Sequence, residues 1–299
     1  MFVARDFERE SDLRLMQEVV RASWRAEKPL VRFHVGDLAW ARYQHAGRER
    51  EWRIRLWETS EGEPAGWAWL FRPSHADLHA RPEVRRDLVP EILAWLAGEV
   101  SDGLAVSALD ADEETVAALA ADGFERRDER PFDAMVLPFD RELPEVRLPE
   151  GFRARHVEGE ADLSRRVAVH RAAWSVFAPS RVTEDSYRNV MAAWPYRREL
   201  DWVVEAPDER FVSSCLVWLD EENATGELEP VGTDPAYWRR GFGLAVCAAG
   251  LGALREHGAD TAVVYATEVP GKPPATALYR ALGFETRGRH VTFTRGRLR

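Results

Sequence analysis

The chain has 299 residues, 45% of them hydrophobic, and 41 Lys and Arg against 51 Asp and Glu give a formal net charge of -10. That is enough apolar material for two cores of about 150 residues each, while the acidic balance argues against nucleic-acid binding, which needs a basic stripe to neutralise phosphates. No apolar run approaches the ~18 residues of a membrane span, no secretory h-region is visible at the start, and Cys215 and Cys247 build neither a disulfide framework nor a zinc site, so a cytoplasmic protein with no membrane partner and no metal is expected.

In chain order, the first half opens with a short strand, then a helix over 12–27 and a hairpin of strands. Pro138, Pro144 and Pro149, set among charged residues, mark a linker. The second half repeats the order: a short strand, helices over 162–174 and 183–193, and strands over 201–206, 211–219 and 225–233. Asp234-Pro235 breaks the last of these, and a turn containing Gly241 and Gly243 opens into a helix that ends at Gly258. A strand over 261–267, a short helix closed by Gly283 and a strand over 290–294 complete the chain. This order predicts a mixed α/β fold, with helices on both faces of a mixed sheet.

The halves are copies of one unit. Residues 2–24 align without gaps on 152–174, and Phe2, Ala4, Arg5, Glu8, Asp12, Leu13, Val19 and Trp24 are among those with a twin 150 positions later. The register continues through Trp52 and Trp202, Pro82 and Pro235, and Gly123-Phe124 and Gly283-Phe284. The expected domains are 1–140 and 151–299, joined by 141–150. Counted from the paired prolines, Leu88 and Pro90 replace Gly241 and Gly243, and proline has no N–H to offer a ligand. Leu119 replaces Tyr279 and Ser74 replaces Glu227, so the first copy reads as degenerate.

A glycine-containing turn at a helix start presents free N–H groups and the positive end of the helix dipole, which suits a phosphate. Two segments then converge. Trp238-Arg239-Arg240-Gly241-Phe242-Gly243 resembles the Q/R-x-x-G-x-G/A turn, and Ala275 to Phe284 resembles the A-x-x-L-Y-x-x-x-G-F segment, of the GCN5-related N-acetyltransferases (GNAT). The resemblance covers about 80 residues well and implies a tandem GNAT fold whose two central strands splay to admit the pantetheine of acetyl-CoA. It implies backbone contacts to pantetheine from Val231 and Thr233, and to pyrophosphate from Arg239, Arg240, Gly241, Gly243 and Leu244. Trp238 departs from the motif's Q/R, and Lys272 stands where the family commonly has an asparagine, which implies either a contact with the 3′-phosphate or slightly weaker binding.

Glu227 and Glu229, two apart on one strand, share a face if the strand is regular. Glu227 lies eleven positions before the glycine motif, where the family places its general base, with Glu229 the second choice; Tyr279 is the implied general acid beside the CoA sulfur. The expected activity is direct acetyl transfer to a small-molecule or peptide amine, by a chain expected to be a monomer. The alternatives are a non-catalytic acyl-CoA-binding module and an interaction protein with a vestigial cradle.

Overall fold

The computed structural model describes residues 2–297. In chain order its main elements are β1 (Phe2–Asp6), α1 (Ser11–Glu27), α2 (Val35–Tyr43), β2 (Trp52–Thr59), β3 (Pro64–Phe71), β4 (His75–Ala80), α3 (Arg85–Glu99), β5 (Leu104–Leu109), α4 (Glu113–Ala121) and β6 (Glu125–Pro138). There follow β7 (Arg153–His156), α5 (Leu163–Trp174), α6 (Glu184–Ala192), β8 (Asp201–Glu205), β9 (Phe211–Asp220), β10 (Thr225–Thr233), α7 (Phe242–Glu256), β11 (Thr261–Ala266), α8 (Ala275–Ala281) and β12 (Glu285–Arg295). The fold is mixed α/β. No helix among the described residues is long and apolar enough to cross a membrane.

The chain divides into two compact units that are not its two sequence halves. The first unit takes the chain up to His34, Gly47–Ala134 and the chain from Thr286 onward; the second takes Val35–Ala46 and Met135–Glu285. In the first, β1 to β4 form an antiparallel meander, β5 runs parallel to β4, and β12 pairs antiparallel with β5 from His290 opposite Leu109 to Arg295 opposite Leu104. The second repeats the plan: β7 to β10 are antiparallel, and β11 is parallel to β10.

Apolar side chains dictate the exchange of segments. Ala39 and Trp40 of α2 are buried with Leu163, Val167, Tyr187 and Trp218 of the second unit, and Val291 and Phe293 of β12 with Leu104, Val106, Leu119 and Phe124 of the first. The 141–150 stretch is likewise anchored, because Leu143, Val146 and Leu148 pack on the core of the second unit. All ten residues of β9 are buried, as expected for a central strand covered on both faces. Cys215, Val217 and Leu219 pack in the α7 cluster, and the alternate Leu216 and Trp218 in the cluster of α2 and α5.

The sequence repeat has a physical basis. In the first unit the buried Asp12 carboxylate accepts from Arg5 Nη2 at 3.0 Å and from the Glu8 N–H at 2.8 Å; in the second, Asp162 accepts from Arg155 Nη1 at 2.5 Å and from the Glu158 N–H at 2.8 Å. The same three-residue clamp ties the first strand to the start of the first helix in each unit. Burial alone would raise both carboxyls, but the guanidinium and N–H donors outweigh it and hold each at about 2.

Two register readings need correction. Trp69 pairs with Asp77 as Trp218 pairs with Glu227, so Asp77, not Ser74, stands at the Glu227 position; β4 has 6 residues and β10, with its bulge between Leu228 and Val231, has 9, so counting back from the paired prolines overshoots Asp77. Asp77 is ion-paired to Arg32 at 3.0 Å. The first copy also lacks the glycine loop outright: α3 begins at Arg85, directly after the turn Pro82–Val84, whereas residues 238–241 intervene between Pro235–Tyr237 and α7. Leu88 is therefore a core residue and Pro90 lies inside α3.

Gly36 lies against Trp218: a Cβ there would sit 2.1 Å from the indole Cγ. Helix propensity favours Ala over Gly by about 1 kcal/mol, yet the overlap outweighs it, so Gly36→Ala is expected to lower stability by about 1–3 kcal/mol in urea unfolding. Gly252→Ala, in α7 with open space around the added Cβ, is expected to raise it by about 0.5–1 kcal/mol. The depressed Asp12 and Asp162 carboxyls contribute stability that is present above their unfolded value near 4 and lost as pH falls toward 2. An acid titration of Asp12→Asn should therefore show a shallower loss over that window than the parent chain.

Candidate active site

The candidate site is built on β10. Its pairing with β11 runs from Thr225 opposite Thr261 to Glu227 opposite Val263 and stops there, although the strands continue to Thr233 and Ala266. Beyond Glu227 the two strands part, leaving the backbone of residues 229–233 an edge toward β11. On the other side the register with β9 shifts between Leu228 and Val231, a bulge that contains Glu229-Pro230. Trp218 steadies this bulge, its indole N–H donating to the Glu229 carbonyl at 2.6 Å.

Glu227 and Glu229 come together with a third acid that the sequence reading missed. Asp37, one residue beyond Gly36 in α2, brings its carboxyl and backbone N–H up to the Glu227 carboxyl. Glu227 is fully buried; burial, then Asp37 and then Glu229, raise its proton affinity well above the ordinary carboxylate range. Glu229 is only partly buried, and burial followed by the charge of Asp37 pushes it up to about 8. Like charges this close disfavour one another's ionisation, so Glu227 and Glu229 hold protons to higher pH than ordinary carboxylates do. Nothing local in the sequence marks Asp37; only the docking of α2 in the second unit brings it here.

The glycine turn takes shape as a helix N-terminus without a side-chain cap. Gly241 is the N-cap of α7 at φ +82°, with open space where a Cβ would point, and no side chain caps the first turn, so the first N–H groups of α7 are available to an anion. Gly243 is glycine for another reason than close approach of a ligand: a Cβ would lie 2.9 Å from Leu278 Cδ1 and 3.2 Å from Thr233 Oγ1, so it lets α8 and β10 close on α7. Arg239, also at positive φ (59°), and Arg240 are exposed. The Arg240 guanidinium sits over Phe152, Tyr237 and Phe242 at 5.1–5.5 Å from their ring centroids. Lys272 Nζ lies 5.8 Å from the Trp238 ring centroid, and Trp238 donates to the Thr233 carbonyl at 3.0 Å. Val231, Thr233 and Leu244 are partly buried along the same strand and turn.

Tyr279 faces the second-unit core from α8, 7% exposed. Burial, then Cys247, Cys215 and Glu229, raise its phenol well above the usual tyrosine range, so it stays protonated. Among the described residues, no group of three or more His, Cys, Asp or Glu is arranged to hold a metal ion. In the first unit, the start of α3 carries Arg85, whose two terminal nitrogens donate to Glu27 at 2.7 Å each, with Asp112 at 3.2 Å. Its own carboxylates thus answer the cation there.

Residues 167–284 match the model of the Acetyltransferase (GNAT) family. The mycothiol acetyltransferase of Saccharomonospora viridis is 32% identical over 172 residues, 52% of this chain and 53% of that protein, so the match spans about half of that relative's length. The mycothiol acetyltransferase of Thermobispora bispora is 30% identical over 230 residues, 74% of this chain and 77% of that protein. Among solved structures, a tandem GNAT protein from the clavulanic acid biosynthesis pathway superposes with a TM-score of 0.64 at 15% identity, covering 99% of this chain and 98% of that one, a likeness of fold. With the glycine turn, the parted strands and the placement of Tyr279, these matches show that the chain belongs to the GCN5-related N-acetyltransferase family.

Proposed function

We propose that this protein is an acetyl-CoA-dependent N-acetyltransferase that moves the acetyl group directly to a primary amine within a ternary complex. The observation that carries the reading is the convergence, on β10, of an acidic group of raised proton affinity with a strand edge that leads to an uncapped helix N-terminus. The matched relatives bear the name mycothiol acetyltransferase, and the property extended to this chain is the coarser one, a small-molecule amine acceptor.

In this reading the backbone of Val231 and Thr233 holds pantetheine. The N–H groups of Arg239, Arg240, Gly241, Gly243 and Leu244 hold the pyrophosphate, and Lys272 reaches the 3′-phosphate. Arg240 serves through its backbone, since its side chain lies against three rings. An alkylammonium with a pKa of about 10.4 is neutral only about one time in a few thousand at pH 7, a handicap of roughly 4–5 kcal/mol. The Asp37–Glu227–Glu229 group lessens it. One ionised oxygen attracts the ammonium, and a base titrating near 8 accepts its proton with less loss than an ordinary carboxylate would. Glu229 is the accessible member and Glu227 the buried one behind it. As the amine nitrogen bonds to the acetyl carbon and the carbon–sulfur bond breaks, the Val231 N–H polarises the carbonyl and the Tyr279 hydroxyl donates a hydrogen bond to the departing sulfur. Full proton transfer from so weak an acid is uphill, so Tyr279 stabilises the thiolate more than it protonates it.

Calorimetric titration with acetyl-CoA is expected to show one site per chain, in the second unit, and Gly241→Asp should weaken it by setting a carboxylate at the N-cap. Two sites would contradict the closed first unit. Glu227→Gln is expected to lower kcat by about 10²–10⁴ with acetyl-CoA affinity retained, and Tyr279→Phe by about 10–100-fold; an acyl-CoA-binding module without turnover would be indifferent to both. The acid limb of kcat/KM should lie near pH 8 and move to lower pH in Asp37→Asn, which removes a neighbouring charge that raises Glu229. The raised Glu229 carboxyl contributes stability that is fully present below its unfolded value near 4.5 and lost as pH rises through about 8. Thermal melts of the free protein should therefore fall over that window, and fall less in Glu229→Gln.

A further inference from the structure

The second unit carries an aromatic rail that the proposed chemistry does not use. Trp40 of α2 meets the His170 ring edge-on at 5.4 Å, His170 stacks on Trp174 at 5.8 Å and 28°, and Trp174 meets Phe177 at 5.4 Å. The rail runs from the buried cluster of α2 and α5 out to Phe177, which is 52% exposed. It also touches the candidate site, since a Cβ on Gly232 of β10 would lie 3.7 Å from Trp174 Nε1 and 2.7 Å from Ala173 Cβ. Trp174 therefore borders β10 three residues beyond Glu229. Phe177 is held in place by the last turn of α5, its N–H donating to the Trp174 carbonyl at 3.0 Å.

We infer that Trp174 and Phe177 form the acceptor-side specificity surface of this site, and that the acceptor is a primary amine carried on an aromatic ring or a comparably flat apolar body. The inference rests on the acetyltransferase reading above for the reaction, but not for the binding.

The two ends of such a molecule match the two ends of the surface. The acidic group on β10 and α2 suits an ammonium, and the exposed Phe177 face beside half-buried Trp174 suits a ring, which gains from stacking or edge-to-face contact. A polyhydroxylated acceptor would need free hydrogen-bonding groups along the loop, and the two serines nearest Phe177 are each engaged in part by the local backbone. Ser175 Oγ donates to the Ala172 carbonyl at 2.7 Å, and Ser180 Oγ accepts from the Val182 N–H at 3.3 Å. His170 adds no competing cation, because burial, then Arg166 and then His45, lower it to about 3.

The test is calorimetric titration of the CoA-saturated protein with phenethylamine and with glucosamine, near neutral pH, alongside acetylation assays of both. Phenethylamine is expected to bind at least about tenfold more tightly. Phe177→Ala should remove that advantage while leaving CoA and glucosamine affinities unchanged, and Phe177→Tyr should restore it. Because Phe177 is exposed, the alanine variant is expected to fold, and unchanged CoA affinity verifies that it has. Equal or tighter binding of glucosamine, no binding of either amine, or phenethylamine binding unaffected by Phe177→Ala overturns the inference. Preferential binding without acetylation would support the surface and sink the reaction proposed for it; acetylation of both amines without preference would do the reverse.

Discussion

Crowding three carboxyl groups into one low-dielectric place is the constraint on which the second unit turns. Like charges in such a setting cannot all ionise, and a buried lone carboxylate is costly without a cation or several donors. Asp37 presses on both Glu227 and Glu229, so these two keep protons that separate carboxylates in water would have lost. That is a standing expense in folding free energy, and the surroundings are arranged to sustain it. Trp218 clamps the bulge from the neighbouring strand, Gly36 lets α2 press flat on Trp218, and fully buried β9 provides a rigid floor. A positively charged guest relieves the expense, so part of what the fold gives up is returned on binding.

The second constraint concerns the main chain. Backbone donors and acceptors removed from water need partners, and an open strand edge inside a sheet is normally closed by another strand. Here the pairing of β10 with β11 ends at Glu227. A short glycine-capped turn then leads the chain into α7 with its first N–H groups uncapped by any side chain. The strand edge and the helix start are consecutive in the chain, so one extended ligand can satisfy both. Gly243 contributes by letting Leu278 and Thr233 approach, and Gly241 by adopting a left-handed conformation that costs other residues about 1–2 kcal/mol.

Much of this was legible in the sequence because it depends on neighbours along the chain. The Arg5–Asp12 and Arg155–Asp162 clamps are spaced by seven residues in both copies, so the repeat shows as an ungapped match. The glycine turn, the short helix carrying Tyr279 and the strand carrying both glutamates are local patterns too. What escaped depends on register and on distant packing. A strand shorter than its bulged counterpart puts Asp77 in the place counting assigned to Ser74, and a missing loop turns Leu88 from a cradle position into a core residue. Asp37 was invisible for the same reason: a helix of the first sequence half docks in the second unit on the apolar side chains Ala39 and Trp40, and apolar pattern alone does not say which of two similar cores will receive them.

The exchange of segments also sets an order of events during synthesis. The second unit needs residues 35–46, made early, and these must wait without their core until β9 and α5 have emerged. The first unit needs β12, which is made long after β5, so β5 must remain an open edge until β12 has emerged. Neither unit can close while its half is made, and each half holds an unpaired surface shaped for a piece of the other. The chain is thus committed to finishing both units together, and a break anywhere in the stretch between the halves would yield two fragments with complementary gaps instead of two independent domains.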